Sequence, residues 1–300
     1  MSFRFQSSDA TVEAAVRRIA CAELDAALAA IRAEDRPIER VVHEVRRHCK
    51  ALRGLIRLVR PVFPAFAVEN AALRDIARGL AGARDSKVLA DTLAMLATAP
   101  DAALGLPAIK RIGVRLCAAP APSVGMRAAL ESCTVPLLAA RVRAATWTLS
   151  DDGWDALEPG FVRTVKAARR AMTAFADTET AEAGHQWRKQ AKYHWQHMRL
   201  LRGVAPGAAG KRAKRAVTLS DLLGERHDLD LFLERLTVSR GRDEDGDTTA
   251  RLAVLANRRI AALDAKAIKL GKRLFGKKPR KLADAWRKRW RNREGEQAPT

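Results

Sequence analysis

Two stretches of the chain share one pattern of basic residues. They read His43-Glu-Val-Arg46-Arg47-His-Cys-Lys50-Ala-Leu-Arg53 and His185-Gln-Trp-Arg188-Lys189-Gln-Ala-Lys192-Tyr-His-Trp195. The offset between them is 142 residues, and at the same offset Arg57 matches Arg199. Gly82-Ala-Arg84 similarly matches Gly224-Glu-Arg226, and an acid, Asp85 or Asp228, follows each. A fixed offset of this kind indicates that a structural unit is repeated.

Each stretch has the spacing of an amphipathic helix. At 100° per residue, the basic side chains of the first stretch occupy about 120° of the helix circumference. The opposite side carries the residues expected to face a core, which are Val42, Val45, Cys49, Leu52, Leu55, Ile56 and Val59. The basic face contains no acid, and like charges at helical spacing repel one another. A solvated surface would explain one such face, but its recurrence in both stretches favours binding of an anion.

The same periodicity predicts an all-α protein, because no alternating strand pattern of useful length occurs. Helices are expected at residues 9–32, 37–60, 68–97 (interrupted near Gly79 and Gly82), 108–118, 126–147, 160–177, 181–203, 211–236, 249–275 and 281–291. Residues 148–159 contain a run of Asp, Gly and Pro typical of a boundary. We therefore expect two tandem helical bundles, residues 1–150 and 151–300. The run at residues 239–248 reads as a solvated loop.

The composition indicates a folded protein with a polyanionic partner. The 300 residues carry 55 Lys and Arg against 34 Asp and Glu, a formal charge of +21, and 48% are hydrophobic. Forty of the cations are Arg, whose planar fork of donors matches phosphate oxygens. Nucleic acid, an anionic lipid surface and a phosphate polymer all fit this charge. Aromatic residues make up only 5%, which argues against single-stranded nucleic acid, because stacking platforms are scarce.

Several other classes of protein are disfavoured. No apolar stretch approaches the roughly 18 residues of a membrane-spanning helix, and the N-terminus lacks the apolar region of a secretory signal. Cys21, Cys49, Cys117 and Cys133 form no CxxC pair, so we expect reduced, buried thiols in a cytoplasmic protein. The common catalytic motifs are absent, and His194 and His197, which lie off the basic face, make a weak metal site. We expect no enzyme activity, cofactor or metal.

The two helices share the pattern H-x-x-R-[RK]-x-x-K. Arg84-Asp85 follows the first helix, and Gly224-Glu-Arg226-His227-Asp228 follows the second. Together these motifs resemble the CHAD family, named for a conserved histidine α-helical domain. The resemblance implies one domain built from two four-helix bundles related by pseudo-two-fold symmetry. It also implies binding of inorganic polyphosphate on a basic surface or channel between the bundles, and association with polyphosphate granules. The attached triphosphate-processing module of many relatives, with its E-x-E-x-K strand, is absent, so the chain resembles the stand-alone form.

Carried over residue by residue, the resemblance assigns two basic walls and a junction. One wall comprises His43, Arg46, Arg47, Lys50, Arg53 and Arg57; the other comprises His185, Arg188, Lys189, Lys192 and Arg199; the junction comprises Arg84, Arg226 and His227. Arg163, Lys166 and Arg170 share one face of a helix and extend this surface. Trp195 departs from the pattern, since Arg53 is its counterpart.

The chemistry of these groups leads to three further expectations. Histidines placed among guanidinium groups are expected to gain protons when a polyanion binds; a neutral histidine that donates one hydrogen bond is the alternative. Asp85 and Asp228 are expected to orient the neighbouring arginines instead of acting as a catalytic pair, because phosphoanhydride hydrolysis would need further acids or a metal. Nucleic acid bound through its backbone remains the alternative partner, and the cations between Lys272 and Arg293 are assigned to solubility or steering.

Overall fold

The computed structural model describes residues 3–33, 35–80, 85–99, 104–116, 123–238 and 245–295. These residues form helices, short turns and connections without a β-strand, so the predicted all-α class is confirmed. The pseudo-two-fold relation between the halves stays a prediction. The α-helices in chain order are α1 (Val12–Arg32), α2 (Ile38–Leu58), α3 (Phe66–Gly79), α4 (Asp85–Ala97), α5 (Leu106–Leu116), α6 (Ser123–Ala144), α7 (Gly153–Thr178), α8 (Ala181–Leu200), α9 (Pro206–Val238), α10 (Gly246–Phe275) and α11 (Pro279–Gly295).

The predicted core face of α2 is confirmed. All seven residues that the helical wheel places opposite the basic side chains are buried, and most are fully excluded from solvent. Helix α2 packs against α1, α3, α6, α7 and α8. The core face of α2 therefore fixes which way its basic face points, namely outward.

The start of α7 differs from the prediction. The helix begins at Gly153, and Pro159 and Gly160 lie inside it. A Cβ at Gly160 would stand 1.9 Å from the carbonyl oxygen of Leu58, so this glycine lets α7 cross directly over the end of α2. Pro159 and Gly160, which suggested the start of a helix, instead mark the place where α7 contacts α2 closely.

The apolar interior crosses the midpoint of the chain. One cluster of buried side chains runs from Phe3 to Trp290 and includes residues of both halves. A second cluster joins α4 and α5 to α9 and α10. Since α4 and α5 precede residue 150, helices of the first half share a core with helices of the second.

The segment before α10 also departs from expectation, because residues 246–248 of the predicted loop belong to α10 and Asp245 is not solvated. Residues 239–244 of the predicted solvated loop lie outside the described residues, but Asp245 is only 3% exposed. Arg111 and Arg115 of α5 each donate to its carboxylate at 2.6 Å, and these hydrogen bonds lower the pKa of Asp245 to about 2. This acid therefore anchors α5 to the start of α10.

None of the described helices has an apolar stretch long enough to cross a lipid bilayer.

Candidate functional site

The outward face of α2 carries the first predicted wall. His43, Arg47 and Lys50 are exposed, whereas Arg46, Arg53 and Arg57 are half-buried. The exposed cations form the outer part of the wall, and the half-buried arginines lie deeper between helices. All six predicted residues of this wall thus share one side of α2.

Side chains and carbonyls of α3 hold the deeper arginines in place. Arg46 donates to the carbonyl oxygen of Ala77 at 2.8 Å. The side-chain oxygen of Asn70 accepts from Arg53 at 3.2 Å and from Arg57 at 2.7 Å. The sequence reasoning missed Asn70, because a partner on a different helix has no fixed spacing from the arginines it holds. These contacts fix the guanidinium groups before any ligand arrives.

The outward face of α8 carries the second wall, which is less exposed than the first. Lys189 is exposed, and His185, Arg188, Lys192 and Arg199 are half-buried. Arg188 donates to the carbonyl oxygen of Ser220 on α9 at 3.4 Å. Its guanidinium lies so close to Gly224 that a Cβ there would stand 2.9 Å from Nη2.

The two walls meet where α2 crosses α8. A Cβ at Gly54 would stand 2.6 Å from the Cβ of Gln196, and the 142-residue offset pairs these two positions. Nε2 of His197 donates to the carbonyl oxygen of Gly54 at 3.1 Å. The guanidinium of Arg57 lies 4.1 Å from the ring centroid of Tyr193. The absence of a side chain at Gly54 thus lets the two helices, and their basic faces, come together.

Electrostatic repulsion shows that cations from different helices lie near one another. Burial, together with Arg53 and Arg60, lowers the pKa of Arg57 to about 10 although Tyr193 opposes the shift. Burial and the neighbouring Arg47 and Arg202 also lower the pKa of Arg199, although Glu23 opposes the shift. Together with the contact between Arg57 and Tyr193, this places the middle of α2 near the end of α8 and the end of α2 near the middle of α8. The two helices therefore run in opposite directions, and the predicted basic residues of both walls are hereafter called the α2–α8 surface.

The predicted extension on α7 adjoins this surface. Burial and the charge of Arg163 lower the pKa of Arg60, which directly follows α2. Arg163, Lys166 and Arg170 are all exposed. These pKa shifts involve two further cations, Arg60 and Arg202. The 142-residue offset pairs the two, so the repeat could have revealed them from the sequence.

Two predicted histidines form a contact at the other end of α8. The rings of His185 and His227 lie 5.2 Å apart between centroids. Burial, then His227, Lys189 and Arg188, lower the pKa of His185, and Glu182 opposes the shift. Among the described residues, no hydrogen-bond partner reaches the buried Nδ1 of His185. Burial and the neighbouring cations thus disfavour the charged form of His185.

Arg226 lies inside the second half instead of on the surface. It is 4% exposed and donates to Asp264 at 2.9 Å, to Asp230, and to the carbonyl oxygen of Glu179. The carboxylates that hold it are therefore Asp230 and Asp264, not the predicted Asp228. Arg226 joins α9 to α10 and to the α7–α8 turn. Arg84 and the side chain of Asp85 lie outside the described residues.

The remaining histidines lie off the α2–α8 surface, as the helical wheel predicted. His194 and His197 are fully buried, and His194 accepts from Arg212. His48 donates to Glu23 at 2.8 Å. In the described part of the chain, no group of three or more His, Cys, Asp or Glu side chains is arranged to hold a metal ion.

Comparison with known proteins identifies a family and a similar solved structure. The model of the CHAD domain matches residues 18–237. No curated protein matches the sequence. The solved structure of PptA from Streptomyces chartreusis aligns with a TM-score of 0.56 at 14% identity, covering 88% of this chain and 99% of that chain. At this identity, the similarity to PptA shows the fold alone.

Proposed function

The chain belongs to the CHAD family, and we propose that it binds inorganic polyphosphate on the α2–α8 surface. The observation that carries this proposal is the crowding of arginines from both copies of the repeat. Burial, with Arg47 of the first copy and Arg202 of the second, lowers the pKa of Arg199 on α8, although Glu23 opposes the shift. Arginines that repel one another in the free protein are stabilised when an anion binds between them.

The hydrogen bonds of the arginines support binding to phosphate in particular. Arg46, Arg53, Arg57 and Arg188 are each held by an oxygen of a neighbouring helix. A fork fixed in advance loses less side-chain freedom on binding, and the planar guanidinium fork matches phosphate oxygens. Phosphate polymers have regularly spaced charges and no sequence to be recognised. A rigid row of arginine forks suits such a ligand.

The extent of the surface fits a polymer better than a small anion. His43 and His185 each precede the crossing of α2 and α8 by 11 residues on helices that run in opposite directions. At 1.5 Å per residue, the two ends of the surface lie up to about 30 Å apart. We therefore propose a chain lying along the surface, with binding strongly weakened by salt, since bound counterions are released.

Charge reversal on the surface tests this proposal. The variant Arg47→Glu, Lys50→Glu and Lys189→Glu changes three exposed side chains. A matched control, Lys110→Glu, Arg127→Glu and Arg251→Glu, changes the net charge equally on α5, α6 and α10, at exposed positions. Titration with long-chain polyphosphate should show a roughly hundredfold loss of affinity in the first variant and less than about threefold in the control. Equal losses in both variants would contradict a localised site.

We also propose that binding is non-catalytic, that it occurs in the cytoplasm and that it directs the protein to polyphosphate granules. Incubation with long-chain polyphosphate and Mg²⁺ should leave the chain length unchanged on a gel. A fluorescent fusion should coincide with granules and become diffuse in the surface variant.

Duplex DNA of matched charge should fail to displace polyphosphate. Effective displacement would favour backbone binding to nucleic acid instead.

A further inference from the structure

Helix α7 lies between the α2–α8 surface and the C-terminal helix. On one side, Gly160 touches the end of α2 and Arg163 adjoins Arg60. On the other side, Arg287 of α11 forms ion pairs with Asp155 at 2.7 Å and with Glu158 at 2.9 Å. The outward face of α7 therefore connects two parts of the molecule that belong to different ends of the sequence.

The groove between α7 and α11 changes in charge along its length. The two helices run antiparallel, because Trp290 contacts Trp154 and Trp286 contacts Phe161. The acids that pair with Arg287 lie at the start of α7. Continuing this register by about two turns brings the start of α11 level with Lys166 and Arg169 of α7. That end of the groove is basic on both sides.

The start of α11 carries far more cations than acids. Residues 272–293 contain eleven Lys and Arg and a single acid, Asp284. Lys278, Arg280 and Lys281 are exposed and form no ion pair with any described residue. Cations at the N-terminal end of a helix also oppose its dipole. An anion bound there would relieve both unfavourable effects.

Packing makes α11 a rigid platform for these cations. Its opposite face is anchored by Trp286 and Trp290, which are 1% and 7% exposed, and by buried Leu282 and Ala283. The backbone that carries these cations is therefore held against α7, and the helix register brings it level with the exposed Lys166 and Arg169. The helix also lies beyond residue 237, where the family match ends.

We propose that the polyphosphate surface continues from α2 and α8 across α7 to the start of α11, so that one long chain is held at two segments. This inference rests on the proposed function and adds selectivity for chain length to it. Short chains fill the α2–α8 surface alone. Long chains also reach α11, and the second contact is intramolecular, which raises overall affinity without changing the first site.

The test compares a short oligophosphate with a chain roughly ten times longer on the full-length protein. The α11 variant is Lys278→Glu, Arg280→Glu and Lys281→Glu, and the charge-matched control is the variant at Lys110, Arg127 and Arg251. In the wild type and the control, the long chain should bind at least about tenfold more tightly per binding site than the short one. The α11 variant should lose this preference and keep its short-chain affinity within about twofold.

The contrary outcomes can be told apart. An α11 variant that keeps the full length preference would overturn the extension and leave the proposed function intact. An equal loss for short and long chains would show a general field effect, which also contradicts a second segment. A wild-type protein that binds neither probe would remove the proposed function itself. If duplex DNA displaced the long chain but not the short one, the α11 segment would be a nucleic-acid site instead of a polyphosphate site.

Discussion

The two copies of the repeat keep the same surface and differ beneath it. On the outward side, cations of α2 recur 142 residues later on α8. On the inward side, Leu52 and Leu55 of α2 correspond to His194 and His197 of α8, and all four side chains are buried. The comparison indicates that the basic face is the constrained part of the repeat, because even the polarity of the core residues changes while that face is kept.

Exposure separates the two walls as well. His43 and Lys50 of α2 are exposed, but their counterparts His185 and Lys192 of α8 are half-buried. The α2 wall is therefore an open row of charges. The α8 wall includes a desolvated histidine whose charge depends on its surroundings. Variants that alter only one copy test this contrast.

The largest effect is expected where the second copy depends on a buried ion network. Arg226→Met leaves Asp264 and Asp230 without their cation, and burial already raises the pKa of both acids. Removing one partner of a buried ion pair costs about 3–5 kcal/mol. Urea unfolding should show a loss of this size. The matched control is Arg259→Met, whose partially exposed pair with Glu225 should contribute no more than about 1 kcal/mol. Equal changes would contradict a structural role for Arg226.

The buried histidines of α8, at positions where α2 has leucines, predict a pH-dependent stability. Burial lowers the pKa of His197 to about 3, so the folded protein holds fewer protons than the unfolded chain between about pH 3 and 6.5. Stability is therefore complete above pH 6.5 and falls as the solution is acidified. From pH 7 to pH 5, His197 alone should account for about 2 kcal/mol.

His197→Leu, which installs the residue of the first copy, isolates this contribution. The variant should lose roughly 1–3 kcal/mol at pH 7, because the carbonyl of Gly54 loses its donor. Its unfolding free energy should nevertheless fall less steeply between pH 7 and pH 5. The measurement is urea unfolding at both pH values. An unchanged pH slope would show that His197 is not the group responsible.

Sequence reasoning was accurate where the determinant is local. Helical periodicity predicted the core face of α2 residue by residue, since a helix of known phase fixes which side chains point inward. It failed at Gly160 and Asp245, whose roles depend on contacts with Leu58 of α2 and with Arg111 and Arg115 of α5. Such partners lie far away along the chain, and no local spacing reveals them.

The candidate site shows the same contrast between features that depend on local sequence and features that depend on contacts between helices. The repeat identified the cations that face outward on α2 and α8, because charge and helical phase are both readable from the sequence. It could not show that Arg226 turns inward to Asp264, or that Asn70 holds Arg53 and Arg57. Those facts depend on which helix lies opposite.

A smaller effect is expected from protonation of His185 during binding. Burial and nearby cations lower its pKa in the free protein, and an adjacent polyanion should raise it. A group with a higher pKa in the complex takes up a proton on binding, so affinity should rise as pH falls from about 7.5 to about 5.5. The gain in affinity is limited to about tenfold for each unit by which the pKa of His185 rises on binding.

His185→Gln should flatten the pH dependence of the affinity for polyphosphate. The control is His43→Gln, which changes the exposed counterpart on α2 and should keep most of that pH dependence. Calorimetry in buffers of different ionisation enthalpy would detect the proton uptake directly. Identical heats in all buffers would exclude protonation and favour a neutral histidine that donates a single hydrogen bond.

The smallest effect concerns the one position at which the α8 wall departs from the α2 wall. Trp195 replaces the arginine found at position 53, and the guanidinium of Arg199 lies 5.1 Å from its ring centroid. Trp195→Arg restores the pattern of the first copy and adds one cation that can release a counterion from polyphosphate. Affinity should rise by a few fold, and the dependence on salt should steepen by about 0.7 in the log–log slope.

The reverse exchange, Arg53→Trp, makes the α2 wall resemble the α8 wall and should reduce that slope by a similar amount. Titrations at three or more salt concentrations measure both variants on one scale. If the α2–α8 surface acts as one continuous row of cations, the two changes should be opposite in sign and similar in size. A response to only one of them would show that polyphosphate contacts the two walls unequally, and the wall that responds would be the one in contact.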